Sequence, residues 1–357
     1  MSSVWGNRIK LSIFGESHGP AIGCVLDGLP AGCAIDESEI LRQMARRAPG
    51  GDATATPRKE ADRPEWLSGM LDGKTTGAPL AMLIRNENTR SGDYDELRRV
   101  PRPSHADYPA SVRYGGHQDV RGGGHFSGRL TAPLVFAGAV CRQILSARGI
   151  EIGAHIRQIG HATDRPFGDP TADIRLLANA AFPLLDREVE PAIRAEIAAA
   201  KSAGDSVGGV IEAAAVGLPV GIGDPMFGGV ENVLSSLIFG IPAVKGIEFG
   251  DGFALAAMRG SEANDPYRYQ NGAVVPTQNH NGGILGGITT GAPLILRAAI
   301  KPTPSIALPQ QSVDLVAGTD TELSVRGRHD PCIVPRAVPV IEAAMAVGLL
   351  DLLEGAR

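Results

Sequence analysis

Apolar and polar residues alternate at Ile9, Leu11 and Ile13, the period-2 pattern of a half-buried strand. After the break GESHGP a second strand is expected over about 22–27, so the chain opens with a hairpin. Asp36 then precedes an apolar face containing Ile40 and Met44, with Glu39 three residues after it, which reads as a capped helix start. A strand is expected around 79–85. Residues 131–148 are apolar nearly all round, which predicts a buried helix, closed by Gly149. Strands follow at 150–160, 207–217 and 293–300, with strand and turn in AVKGIEFGDGF. Helices are expected at 189–203, stopped by Gly204, at 231–241, and at 336–353, where Pro339 fits a first helical turn.

Strands and helices do not alternate regularly, and no GxGxxG joins a strand to a helix, which argues against a dinucleotide-binding domain. Halves at 1–160 and 205–357 each carry hairpin-like strands and a buried helix. No repeat or linker separates them, so residues 1–357 read as a single domain. With 46 glycines, 26 prolines and 4% aromatics, the chain is rich in turns and its core must be largely aliphatic. Nothing in it is apolar and charge-free over a bilayer's width, so no membrane partner is expected. The four cysteines lack finger or CxxC spacing and read as buried thiols of a reducing compartment, hence a cytoplasmic protein.

Charge changes the picture. The chain is acidic, with formal net charge −5, yet 98–129 holds six arginines, three histidines and three consecutive glycines. Such a segment suits an anion, phosphate first. Six pieces qualify as chemistry. His18 sits between glycines in GESHG, accessible to a ligand or simply facing water. His105 stands two residues before Asp107 in SHADYP. RGGGHFSGR offers backbone N–H groups and precedes a buried helix. Arg46, Arg47, Arg58, Lys59 and Arg63 make a basic loop, either a ligand surface or a solvated face. KPTPS (301–305) is a rigid cationic ledge, and GRHDPC sets Arg328, His329 and Asp330 before the last helix. No metal-ligand spacing, GxSxG or phosphate-binding loop of the GxxxxGK type appears, so a metal is not expected.

In this order GESHG, RRxPG, HADY, RGGG, GDSVGG, AVKGIEFGDGF, NGGILGGI, KPTPS and GRHDPC resemble chorismate synthases from about Asn7 to Asp351. The resemblance implies an α+β fold, a β-α-β sandwich with helices between antiparallel sheets, assembled as a homotetramer. It implies a lyase that turns 5-enolpyruvylshikimate 3-phosphate into chorismate and phosphate by anti-1,4-elimination. Reduced FMN is required without net redox change. By the same resemblance His18 protonates the leaving phosphate, His105 protonates or stabilises the reduced flavin, and Asp330 assists proton removal. FMN contacts fall to His125, Phe126, Ser127, Pro242, Ala243, Gly286, Lys301, Pro302, Thr303, Pro304, Ser305 and Arg328. Arg47 is expected to contact substrate or NADP. The chain departs from the family pattern at His125 and Phe126, where arginine and serine are frequent, and at Ala48, Ala53 and Leu130. A titratable ring at 125 implies weaker or pH-dependent anion binding. Two other readings compete: a flavin reductase using a nicotinamide nucleotide, for which no fingerprint is present, and an RNA-binding module. The latter is disfavoured by the net charge and by few aromatics near the arginines, so no nucleic-acid partner is expected.

Overall fold

The computed structural model describes residues 3–49, 62–86, 95–178, 180–325 and 330–356. The chain begins with β1 (Val4–Trp5), β2 (Lys10–Gly15) and β3 (Ala21–Asp27), then α1 (Glu37–Arg47). Next come β4 (Glu65–Ser68), β5 (Met70–Leu71), β6 (Lys74–Thr75) and β7 (Leu80–Arg85). Helices α2 (Asp95–Arg99), α3 (Asp107–Tyr114) and α4 (Thr131–Ser146) lead to β8 (Glu151–Ile159) and β9 (Ala162–Thr163). Then come α5 (Pro170–Leu177), α6 (Glu190–Ser202), β10 (Gly209–Val216), α7 (Val230–Ile238) and β11 (Val244–Phe249). The short α8 (Gly260–Ala263) precedes two hairpins, β12 (Tyr267–Gln270) with β13 (Ala273–Pro276) and β14 (Ile284–Leu285) with β15 (Ile288–Thr289). The chain continues through β16 (Leu294–Ile300), β17 (Gln310–Asp314), β18 (Thr319–Leu323) and α9 (Val334–Gly355).

Two antiparallel five-stranded sheets, ordered β1-β2-β3-β7-β4 and β11-β16-β10-β8-β9, enclose a helical layer. Ile22, Cys24 and Leu26 of β3 and Leu80, Met82 and Ile84 of β7 are buried along the inner face of the first sheet. That sheet packs on α4; the Cys24 thiol donates to the Pro133 carbonyl at 3.5 Å. The second sheet lays Ile152, Ala154, Ala213, Leu296 and Ala298 against the other side of the layer, where α9 packs on β8 and β10. One continuous apolar core runs from the first sheet to the second. The sandwich is the α+β architecture expected from the motifs.

Helices α4 and α9 make the central contact. A Cβ on Gly138 of α4 would stand 2.2 Å from the Ala343 Cβ of α9, so only glycine allows this approach. The layer also buries a charge. Glu342 of α9 pairs with Arg46 of α1 and Arg142 of α4 and accepts the Ala154 N–H of β8 at 3.0 Å. Asp351 accepts N–H groups from Asn7, Arg8 and Ile9, fixing the approach to β2 on the far end of α9.

Three local expectations change. Helix α9 begins at Val334, so Pro335 takes the first-turn place and Pro339 lies in the helix interior, where its missing N–H removes a bond to the Pro335 carbonyl. Glu39 does not reach back to the cap: Asp36 accepts from Ser38, and its own N–H goes to Gln143 Oε1 at 2.7 Å. Helix α7 stops at Ile238, before Gly240. Among the described residues Cys24, Cys33, Cys141 and Cys332 are free thiols; all but Cys33 are buried, and burial pushes Cys332 up to about 12.

Candidate active site

One end of the sandwich gathers the β2–β3 loop, the end of β7, the C-terminus of α1 and the end of β16. The N-terminal ends of α4 and α9 lie there too. Residues Arg121–Phe126 form a 3-10 turn in which Gly122, Gly123 and Gly124 have φ of 60°, 83° and 54°. Only glycine adopts three such conformations in succession at low cost. The Gly123 N–H is bonded to Val120 O at 3.1 Å, and a second 3-10 turn, Gly128–Leu130, separates the glycines from α4. The run therefore does not open directly onto a helix N-terminus, as its spacing suggested. It forms a thin wall against two imidazoles. A Cβ at Gly122 would lie 2.7 Å from His18 Nε2, and one at Gly123 would lie 3.3 Å from His105 Nε2. Adjacent residues of one turn thus touch both histidines, which sequence separates widely. The GESHG loop is bound to the same turn by Ser17 N–H on Gly124 O at 3.1 Å. His18 is 6% exposed, so it is not a turn residue facing water.

His105 precedes α3 and is held from its own segment. Its Nδ1 stands 2.6 Å from Asp107 Oδ1. Arg102 donates through Nε to Asp107 Oδ2 at 2.7 Å and through Nη2 to Oδ1 at 2.9 Å. Arg102 and Asp107 are both buried. Burial alone would raise the Asp107 carboxyl; the bonds from Arg102 and His105 outweigh it and hold the group well below the usual carboxylate range. Arg102 Nη1 also donates to Ser305 Oγ at 3.1 Å, which ties the histidine segment to the ledge. Lys301 adds a second tie, Nζ to the Ser104 carbonyl at 2.7 Å, while its backbone N–H donates to Ala243 O at 2.9 Å. Both carbonyls belong to residues in the left-handed region, Ser104 at φ 58° and Ala243 at φ 74°. Burial, helped by nearby Lys245, lowers the Lys301 ammonium from its ordinary value.

The remaining pieces join through carboxylates. Asn86 donates to the carbonyls of Glu16 and Gly19 at 3.0 and 2.8 Å, shaping the His18 loop, and accepts from Arg129 Nε at 2.6 Å. Asp62 receives Arg129 Nη1 at 2.9 Å and Arg47 Nη1 at 2.6 Å, two guanidiniums on one carboxylate. The Arg47 carbonyl accepts from Arg336 Nε at 3.0 Å, and Arg336 Nη1 donates to Asp330 Oδ2 at 2.6 Å. Thr303 Oγ1 then donates to the Asp330 carbonyl at 3.2 Å, returning to the ledge. The basic loop divides where it is described: Arg47 is 4% exposed and Arg46 pairs with Glu342, whereas Arg63 is exposed. Asp62, Asn86 and Arg336 were not singled out from sequence, since each joins segments distant along the chain; Arg102 counted only as one arginine of the 98–129 segment, although Asp107 and His105 are close to it in sequence.

Some expected residues stand differently. His125 Nδ1 is 2.8 Å from the Gly15 carbonyl and Nε2 is 2.8 Å from Ser3 Oγ, so the ring latches the turn to β2 and the N-terminal segment. Phe126 is partly exposed beside Tyr114, with ring centroids 6.3 Å apart, and Ser127 Oγ accepts the Arg129 N–H at 3.3 Å. Pro242 and Ala243 enter β11 beside the ledge. Gly286 does not join them within the protomer. Its hairpin is anchored at the opposite end of β16, where Ile295 N–H donates to Gly282 O at 3.2 Å. Seven strand residues, roughly 20 Å, separate that end from Lys301. Arg58, Lys59, Ala53, Arg328 and His329 lie outside the described residues. Among the described residues no cluster of three or more His, Cys, Asp or Glu is set to hold a metal ion, and no helix is long and apolar enough to cross a membrane.

Comparison with known proteins decides the family. The chorismate synthase family model matches residues 9–353. The chain belongs to the chorismate synthase family. A chorismate synthase of Korarchaeum cryptofilum is 46% identical over 349 residues, covering 98% of this chain and 96% of the relative. One from Thermococcus kodakarensis is 46% identical over 346 residues, with 97% and 96% covered. A crystal structure of chorismate synthase superposes with a TM-score of 0.78 at 28% identity, covering 99% of this chain and 93% of that one. The enzyme identity and the sandwich are thus those of the chorismate synthases.

Proposed function

We propose that this end of the sandwich converts 5-enolpyruvylshikimate 3-phosphate into chorismate and phosphate by anti-1,4-elimination with reduced FMN. The observation that carries the reading is the meeting of His18 and His105 on one glycine turn. The residues present fit an anionic flavin nucleotide. Lys301 and the hydroxyls of Thr303 and Ser305 stand on a ledge stiffened by Pro302 and Pro304, with Pro242 and Ala243 beside it. Held there by Lys301, Thr303 and Ser305, the reduced flavin would supply transient electron density for the elimination and regain it.

The protein does the rest. His18, buried on the β2–β3 loop, gives its proton to the departing phosphate, which leaves poorly as a full anion. His105 protonates or stabilises the reduced flavin from the other side of the turn, its Nε2 taking up the proton that it passes on. Asp330, held by Arg336, assists proton removal from the substrate. Arg47 and Arg129 both reach Asp62, which sets two guanidinium groups beside the site for a substrate bearing a phosphate and two carboxylates. Arg47 is also the expected contact for NADP where one is used. The cofactor set expected at the turn and ledge is His125, Phe126, Ser127, Pro242, Ala243, Lys301, Pro302, Thr303, Pro304 and Ser305. Arg328 belongs to the same expected set, and Gly286 joins it only from another subunit, since within the protomer its hairpin is anchored at the opposite end of β16. The chain is expected to act as one domain, in a cytoplasmic homotetramer; exposed Met226 and Phe227 support subunit contacts.

The test is anaerobic turnover with dithionite-reduced FMN, following phosphate, chorismate and the flavin spectrum. Phosphate release that requires reduced flavin, with the flavin still reduced afterwards, supports the reading. Release with oxidised flavin, or none with reduced flavin, refutes it.

A further inference from the structure

We propose that Asp107 is a positioning residue for the elimination, fixing His105 as the Nδ1–H tautomer so that Nε2 is the atom that exchanges a proton at the glycine turn. The proposal rests on the reading of His105 given above. It comes from the donor and acceptor inventory around one nitrogen. His105 Nδ1 has Asp107 Oδ1 at 2.6 Å and Arg102 Nη2 at 3.1 Å. A carboxylate only accepts and a guanidinium only donates, so Nδ1 satisfies one of them, not both. Without a proton, Nδ1 would set a lone pair against a carboxylate oxygen at 2.6 Å. Arg102 Nη2 has an acceptor of its own in Asp107 Oδ1 at 2.9 Å and does not need the imidazole. The proton therefore sits on Nδ1. The neutral ring keeps its lone pair on Nε2, the atom beside Gly123.

Arg102 makes this choice rigid. Its Nε and backbone N–H both donate to Asp107 Oδ2, at 2.7 and 3.1 Å, so the carboxylate cannot rotate away from the imidazole without breaking two bonds. The same guanidinium reaches Ser305, so the histidine and the ledge are set by one cation. The Asp107→Asn variant has a defined consequence. Position Oδ2 faces two obligatory donors and keeps the amide oxygen. The NH2 then takes the place of Oδ1 and points at Nδ1, which must accept. The neutral ring becomes the Nε2–H tautomer, with its lone pair turned away from the turn.

The experiment is 15N NMR of the full-length protein labelled at histidine nitrogens, at a pH where the ring is neutral. His105 is assigned by its loss in His105→Gln. The expected wild-type signal is protonated Nδ1 with bare Nε2, reversed in Asp107→Asn. Turnover of that variant is expected to fall about 10²–10⁴-fold in kcat with little change in KM, the pattern of a wrong tautomer. A wild-type ring carrying its proton on Nε2, or an unchanged tautomer in the variant, overturns the proposal; the wild-type spectrum alone decides if the variant does not fold. A reversed tautomer with undiminished kcat upholds the assignment of the proton but overturns the positioning role, and with it the catalytic reading of His105.

Discussion

Gly122→Ala tests the geometry of the turn without touching a titratable group. The residue has φ 60°, a conformation that costs an alanine roughly 1–2 kcal/mol. The new methyl would also stand 2.5 Å from His18 Cδ2, 2.7 Å from its Nε2 and 2.8 Å from Ser17 Oγ. Forcing extra carbon into a packed site costs about 1–3 kcal/mol when nothing moves. The cheaper response is for the imidazole to retreat by about 1 Å to ordinary contact, and a displacement of that size near reacting atoms is worth about 10²-fold in rate. Gly32→Ala is the control: φ is 79°, yet a Cβ there meets nothing within 4 Å. It carries the backbone penalty alone. We expect both variants to lose stability by calorimetry, Gly122→Ala by more, and only Gly122→Ala to lose phosphate release in single-turnover assays. Equal loss of stability in the two, with full activity in Gly122→Ala, would refute the argument that this turn abuts His18.

Further predictions concern proton donors and buried charges. His18→Ala and His105→Ala should each lower turnover at least about 10²-fold, and near-normal rates in both would remove them from the chemistry. Glu342→Ala leaves Arg46 and Arg142 facing each other in the helical layer, so unfolding free energy should drop by about 3–5 kcal/mol; a drop below about 1 kcal/mol would show that water or rotation rescues them. His155 is fully buried with Asp164 and Glu212 each 3.0 Å from a ring nitrogen. Burial works to lower its proton affinity, but the bonds to Asp164 and Glu212 outweigh it and the group is raised. Its contribution is therefore full below the unfolded value of about 6.5 and is lost as pH climbs through the raised folded value. The urea midpoint should fall as pH rises above about 6.5 in the wild type and fall less in His155→Asn; parallel curves would contradict this.

Much of the fold was legible because the inner elements obey simple periods. The alternation in β2, β7 and β16 and the apolar surface of α4 located the sheets and the buried helix within a few residues. The short hairpins β12–β13 and β14–β15 were not read, since strands of two to four residues carry too little alternation. The histidines and the ledge were visible as glycine- and proline-framed motifs. Their partners were not. Asp62, Asn86 and Arg336 gain meaning only when the chain returns from far along the sequence. The arginine density of 98–129 looked like free positive charge, but Arg102, Arg121 and Arg129 each meet a carboxylate. The sequence shows cations; the fold decides which carboxylates orient them.

The helical layer has a consequence for biosynthesis. Helix α9 touches α1, α4, α7, β8 and β10, so it is common to both halves of the sandwich. The ribosome makes it after every strand it supports. A nascent chain that has not yet reached Val334 holds two completed sheets whose greasy inner sides have only part of their cover. Closure therefore waits for a contact between segments some two hundred residues apart, such as Gly138 with Ala343, and the interval before it is when this polypeptide is most in need of a chaperone.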